Sequence, residues 1–305
     1  MSLLACARCG DTAGPFTRDG LCEDCADKPV IRDGMSADEY HADRGSISST
    51  GLRALLPPGC PAQYRYDRDH PRPPKREFDL GNAAHAEVLG EGHTLEVVDA
   101  ADWKTQAARD KRDAAYAAGR VPLLAHEYEQ VQAMAAAIRG HHQAGSLFAG
   151  GIAERSIFWT DPATGVRCRC RPDYLKQLPR LTLCVDYKTT TDASPEAVAK
   201  AIQKYGYHQQ DPLYLDGIEA AGLAPHGARF VFVFQQKTPP YLVTVRELDQ
   251  QERDIGRAKN ERALRIFADC VATDTWPDWT GPVDDIPFIH LPTWAAIREA
   301  EEYLP

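Results

Sequence analysis

Arg171-Pro172-Asp173 and, with twelve residues between the two aspartates, Leu181-Thr182-Leu183-Cys184-Val185-Asp186-Tyr187-Lys188 form the most informative stretch of this chain. Val166 to Lys176 and Leu181 to Lys188 show β-branched and aromatic alternation, separated by the turn signal Leu178-Pro179-Arg180, and read as two strands. Pairing them as a hairpin brings Asp173 and Asp186 together at one end of a sheet. Side chains two apart share a strand face, so Lys188 stands on the side of Asp186. Two carboxylates and an ammonium around one point are what metal-assisted phosphodiester hydrolysis requires: the carboxylates hold Mg²⁺, and the lysine orients the attacking water. The spacing alone is weak, because Asp-x-Lys arises about once by chance in a chain of this length. A second copy, Asp102-Trp103-Lys104, falls in a stretch that reads as helix. The apolar strand leading into Asp186 and the Pro-Asp on its neighbour distinguish the first copy.

Outward from this pair, Pro195 opens a helical stretch to about Gly222. Arg229 to Phe234 is a strongly apolar strand, Tyr241 to Arg246 an edge strand, and Leu248 to about Val271 a long helix. On the other side, Ile152 to Thr160 reads as a strand closed by Asp161-Pro162 and Gly165. Before it come two alanine-rich helices, roughly Asp102 to Ala118 and Leu123 to Gly145, and a helix from about Asp79 to Leu89. Ser48-Ser49-Thr50 caps a shorter helix carrying Leu52, Leu55 and Leu56, stopped by Pro57-Pro58. The order α, β, β, β, α, β predicts an α/β domain over residues 31–273, with a mixed central sheet flanked by helices. Residues 274–305, with Pro277, Pro282, Pro287 and Pro292, are expected to wrap the surface.

The first thirty residues stand apart as a small module. Cys6, Cys9, Cys22 and Cys25 have the spacing C-x2-C-x12-C-x2-C, which suits tetrahedral Zn²⁺, and so short a segment has too little apolar area to fold without such a staple. Such knuckles serve as structural braces, protein docks or nucleic-acid contacts, and the spacing does not choose among them.

The 305 residues carry a formal charge of −9, which argues against a general DNA-coating protein but not against a nuclease, whose metal site itself needs carboxylates. Every apolar stretch ends well before the ~18 residues of a membrane span, and the first residues lack a basic segment followed by a long apolar one. These features predict an intracellular, cytoplasmic protein without membrane partners. Between residues 274 and 305 seven carboxylates face Arg298 alone, whereas Arg65, Arg68, Arg72, Lys75 and Arg76 outnumber Asp67 and Asp69. That basic strip reads either as a solvated, proline-rich loop or as a phosphate-contacting surface.

Together these stretches resemble the PD-(D/E)XK nuclease superfamily, and within it the phage-type RecE-like exonucleases related to the RecB nuclease domain, over roughly Met35 to Val271. Beyond the Pro-Asp and Asp-x-Lys pair, five landmarks occur in order. They are the segment Met35 to Leu56, Gly81-Asn82-Ala83-Ala84-His85, Ala153-Glu154 before Ile157-Phe158-Trp159, Arg169-Cys170-Arg171-Pro172-Asp173, and Tyr207-His208-Gln209-Gln210 through Tyr214. The resemblance implies that His85 joins Asp173 and Asp186 around the metals, with Lys188 at the attacking water. An imidazole ligand would let Mn²⁺ replace Mg²⁺. Glu154 either completes a second metal shell or pairs with Arg169 or Arg171. Gln210 and Tyr214, one helical turn apart, are implied beside the active site near DNA; Pro212 between them fits a helix that begins near Gln209.

The activity so implied is resection of linear double-stranded DNA ends, 5′ to 3′, by a ring-shaped homo-oligomer. It hands single strands to an annealing protein for recombination, in a bacterial host cell if phage-encoded. Some RecB-type nucleases hold an iron–sulfur cluster on one early and three late cysteines. Here only Cys270 lies late, so Cys60, Cys168, Cys170, Cys184 and Cys270 read as packing residues. The competing readings are a noncatalytic zinc-containing nucleic-acid or protein adaptor on a nuclease-like fold, and a structure-specific endonuclease in DNA repair.

Overall fold

The computed structural model describes residue 12 and residues 28–71, 75–280, 286 and 288–305. Cys6, Cys9, Cys22 and Cys25, and Arg72 of the basic strip, lie outside the described residues. The chain begins with β1 (Val30–Arg32), α1 (Ala37–Ala42), α2 (Ser49–Ala54), α3 (Pro61–Asp69) and α4 (Asp79–Leu89). Next come β2 (Leu95–Val98), α5 (Gln106–Ala117), β3 (Val121–Leu124), α6 (Ala125–Gly140) and α7 (Ala144–Leu147). The strands β4 (Ile152–Ala153), β5 (Ser156–Thr160), β6 (Arg167–Cys170), β7 (Tyr174–Leu178) and β8 (Leu181–Thr190) follow. Then come α8 (Pro195–Tyr205), α9 (Tyr207–Ala220), β9 (Ala228–Gln236), β10 (Val243–Arg246), α10 (Gln250–Thr273) and α11 (Thr293–Tyr303).

The central sheet has the order β10-β9-β8-β7-β4 and is mixed. β7 and β8 form the expected hairpin, with Tyr174 opposite Val185, while α8 and α9 carry the chain over to β9, parallel to β8. Both faces of β8 and β9 are covered, and the period of two sorts their side chains. Cys184, Phe230, Phe232 and Phe234 join a core with Leu52, Leu213 and Phe267. Val185, Tyr187 and Val233 join a second core with Ala84 and Met134. Asp186 and Lys188 therefore belong to the face covered by α9, and Tyr187 to the face covered by α4 and α6.

The expected strands 152–160 and 166–176 each split, and their halves enter different sheets. Glu154, in the left-handed region with φ 53°, ends β4 before β5 starts. Arg171-Pro172-Asp173 separates β6 from β7, and Pro172 has no N–H for a ladder. β5 and β6 instead pair with β1 in a second, three-stranded sheet, so Asp173 sits at the joint before β7 rather than on a strand. A parallel pair, β2 with β3, was not expected from the sequence; α6 consequently begins at Ala125 rather than Leu123. Asp102 and Lys104 precede α5 in a turn closed by a 2.8 Å bond from Lys104 N to Asp102, which corrects the helical reading.

The expected helix 195–222 breaks at Gly206, whose φ of 64° ends α8 and starts α9. Pro212 thus lies inside α9 instead of in a first turn begun near Gln209. It removes the N–H that would bond the His208 carbonyl. α10 crosses at this point: a Cβ at Gly256 would stand 1.6 Å from His208 O. Asn260 fastens the same turn, donating to Gln209 O at 2.8 Å and accepting from Gln209 Nε2 at 3.1 Å.

Of the basic strip, Arg65 and Arg68 stand on the helix α3 and not in a loop, whereas Lys75 and Arg76 follow it. Arg65 reaches Asp69 at 2.7 Å and Asp274 at 3.4 Å, and Arg65 and Arg68 lie over the Trp276 ring. Arg76 pairs with Glu127. Trp276 packs against Tyr64 and Phe267, and Trp279 Nε1 donates to Pro58 O at 2.9 Å, so residues 274–280 do cover the body. Further along, Thr293–Tyr303 form the helix α11, with Trp294 and Ile297 exposed. Cys60, Cys168, Cys170, Cys184 and Cys270 are buried and free, as packing residues are. Among the described residues no helix is long and apolar enough to cross a membrane.

Candidate active site

Asp186, 1% exposed, is the hub of the site. Its Oδ1 accepts from Lys188 Nζ at 2.8 Å and from Gln210 Nε2 of α9 at 2.6 Å. Its Oδ2 is 2.6 Å from the same ammonium but has no donor aligned on it. Lys188 Nζ also lies 5.1 Å from the Tyr207 ring centre. Burial alone would favour the neutral amine; Asp186 and Asp173 outweigh it and hold the ammonium above its ordinary pKa.

The hairpin register, carried one pair beyond Tyr174–Val185, sets Asp173 opposite Asp186. The Tyr187 N–H donates to Asp173 Oδ2 at 2.7 Å, and His85 Nδ1 lies 3.7 Å from that oxygen. Burial, followed by the Asp186 charge, pushes the Asp173 carboxyl well above the usual range. His85 arrives on α4, which passes close to β8 because residue 81 is glycine: a Cβ there would stand 3.2 Å from Thr189 Oγ1. The His85 ring packs on Tyr187, their centres 5.0 Å apart. Burial, with the Lys188 charge second, lowers its pKa to about 4, so its imidazole is neutral at physiological pH, the form that ligates metals.

His85, Glu154 and Asp173 each offer one donor atom, all within 4.8 Å of one another. Asp186 is outside this close group and faces Lys188 and Gln210. Glu154 pairs with Arg171 while standing in the group, so the ion pair and the place beside the other donors coexist. Its left-handed backbone aims the carboxylate inward, and such positions concentrate at functional sites. Burial raises its pKa against the pull of Arg171. Tyr214 lines the pocket of about 250 Å³ over this group, and burial holds its phenol protonated.

The sequence reading missed Tyr40, His41, Glu91 and His93, which line the same pocket, and Tyr207. Tyr207 was findable, since it lies three residues before Gln210 on one helical face. For Tyr40 and His41 on α1, and for Glu91 and His93 in the loop after α4, no local pattern marks the approach to a distant strand.

The donor set fits a hard divalent cation such as Mg²⁺ or Mn²⁺: two carboxylates and a neutral imidazole converge within 4.8 Å of one another. Charging Asp173 without a cation is costly. Because its folded pKa is raised, the stability it contributes is lost as pH rises through that value; His85 acts oppositely, losing stability as pH falls from about 6.5 toward 4. At neutral pH, Mg²⁺ or Mn²⁺ should therefore raise the melting temperature. Asp173→Asn should raise the cation-free melting temperature and abolish that increment. An undiminished increment in Asp173→Asn, read by calorimetry, would show that the cation binds elsewhere.

A mixed sheet carrying a buried Asp-x-Lys beside a second carboxylate defines the PD-(D/E)XK nuclease fold class. The chain belongs to the family described as PDDEXK-like domain of unknown function (DUF3799), whose model matches residues 48–286. Its fold is similar to the crystal structure of a protein from Eubacterium rectale named a "putative exonuclease". The TM-score is 0.55 at 8% identity, covering 87% of this chain and 98% of that one. No curated protein matches the chain.

Proposed function

We propose that the protein is a metal-dependent DNA exonuclease that resects linear double-stranded ends. The observation that carries this reading is the Asp186–Lys188–Gln210 cluster beside the His85–Glu154–Asp173 donors, at one end of one sheet. A divalent cation held by Asp173, His85 and Glu154, with Asp186 adjacent, would neutralise phosphate charge and acidify water. Lys188, kept charged by Asp186, holds the attacking water and stabilises the negative charge that develops on it. Gln210 fixes the Asp186 rotamer. Tyr214, a protonated phenol, serves as a donor toward a phosphate oxygen in the pocket.

The likeness to a protein named as an exonuclease favours end resection over internal cleavage. The remaining parts of the reading rest on the RecE-like resemblance: 5′ to 3′ polarity, a ring-shaped homo-oligomer, and delivery of single strands to an annealing protein in a bacterial cytoplasm. Zn²⁺ is assigned to Cys6, Cys9, Cys22 and Cys25 on their spacing. The test compares linear and circular duplexes labelled at either end, with and without Mg²⁺. Loss of the 5′ label first, only from linear DNA and only with the cation, is the expected result. Cleaved circles would favour the structure-specific endonuclease, and DNA binding without hydrolysis the adaptor.

A further inference from the structure

The rim of the active site carries aromatic and basic side chains that the metal centre does not use. The Tyr207 ring, 5.1 Å from Lys188 Nζ, has the Tyr205 ring beside it, their centres 5.7 Å apart and their planes at 35°. Tyr207 is partly buried, whereas Tyr205, the last residue of α8, is 51% exposed. Lys204 Nζ lies over the Tyr205 ring at 5.2 Å. One exposed tyrosine is an ordinary surface feature. This one is clamped: Arg53 of α2 donates from Nη1 to the Tyr205 carbonyl, and Gly206 packs on the Arg53 stem, where a Cβ would stand 2.6 Å from Cδ. A ring so held loses little freedom when something binds on it.

The charge around this ring is also unlike that of the whole chain, which is −9. Arg53 bonds the uncharged oxygens of Tyr205 and, at 3.0 Å, Thr50, and Lys204 meets the Tyr205 ring; among the described residues neither cation has a carboxylate partner. A guanidinium has five N–H donors, and two contacts leave others to offer. Within α8 the sole carboxylate, Glu196, lies in the first turn, at the far end from Tyr205. An exposed aromatic face flanked by unpaired cations is how proteins hold single-stranded nucleic acid, since every base has a face to stack and every phosphate a charge to neutralise.

We propose that Tyr205, Lys204 and Arg53 form a subsite for one unpaired nucleotide of the strand entering the active site, its base stacked on Tyr205 and its phosphate between the two cations. The base is unpaired because the platform is a single ring: Tyr207 behind it is tilted and partly buried, so nothing extends the surface to the width of a base pair. Lys204 is exposed, and its flexible stem lets the ammonium swing from the ring to the phosphate when the base arrives. The next phosphate then lies toward Lys188, two ring contacts away. Such a subsite favours strand ends, where a base leaves its pair at least cost. That consequence rests on the nuclease reading above; the binding does not.

The test is fluorescence anisotropy of the full-length protein with labelled probes, in Ca²⁺ instead of Mg²⁺ so that no strand is consumed. The probes are an oligothymidylate, the same backbone with abasic residues throughout, and a blunt duplex. Tyr205→Ala should weaken oligothymidylate binding about tenfold, as loss of one stacked base does, and leave the abasic strand unaffected. Tyr205→Phe, which keeps the ring, should bind as the wild type does. Lys204→Ala should weaken both single strands alike and flatten the slope of log affinity against log salt by about 0.7, one phosphate contact. In Tyr205→Ala, an equal loss on both single strands, no loss on either, or a loss confined to the blunt duplex overturns the proposal. So does a wild type that binds no single strand. Hydrolysis in Mg²⁺ is read separately: its absence beside an intact Tyr205 effect sinks the nuclease reading and leaves the subsite standing, and hydrolysis without that effect does the reverse.

Discussion

Asp186→Ala should reduce duplex hydrolysis by at least ~10³-fold and lower the melting temperature as well. The rate falls because the Lys188 ammonium loses the carboxylate that holds it at the site and a donor beside the cation disappears. Stability falls because the Lys188 ammonium loses the carboxylate bonded to it, with only Asp173 left to offset its burial; breaking such a pair typically costs ~3–5 kcal/mol. The two effects separate in the double variant Asp186→Asn/Lys188→Met, which should melt near the wild type and remain inactive. Asp102→Ala, in the exposed second Asp-x-Lys, should be silent in both assays. Near-normal turnover by Asp186→Ala would remove Asp186 from the active site.

The largest expected effect away from the chemistry is at Gly256. In an ordinary exposed helix, alanine would be preferred over glycine by ~1 kcal/mol. Here a Cβ would stand 1.6 Å from the His208 carbonyl, and backbone cannot yield as a flexible side chain does. Gly256→Ala should therefore cost about 3 kcal/mol, the upper end for overpacking, measured by urea denaturation. Displacing α9 also moves Gln210 away from Asp186, so turnover should fall even where the variant is folded. A more stable Gly256→Ala would show that the two helices do not cross this closely.

Much of the central motif was legible because its signals are local. The hairpin around Leu178-Pro179-Arg180, the apolar β9 and the edge strand β10 are each marked by period-two alternation and turn residues within a few positions. His85, Glu154, Asp173, Asp186, Lys188, Gln210 and Tyr214 could be singled out by motif order, and the structure brings them to one end of the central sheet. The helix that carries Arg65 and Arg68 was not legible in the sequence, for a physical reason. α3 has no buried residue of its own, and part of its apolar contact comes from Trp276, some two hundred positions later.

By itself the sequence determined that a hairpin carries Asp186, which residues face one another across it, and that Lys188 shares a face with Asp186, because all three follow from the two-residue repeat of a strand and the turn residues between. Only the tertiary structure decided which sheet each half-strand joined, that Glu154 could both pair with Arg171 and stand near His85, and that a helix with Pro212 in its interior could still deliver Gln210 to Asp186. Those outcomes depend on contacts between positions far apart in the chain: Cys170 opposite Ile157, Gly256 against His208, Asn260 holding Gln209. A carbonyl stripped of its intrahelical partner and a strand ended by a left-handed residue become tolerable only when distant groups close around them, and no local pattern records which groups those are.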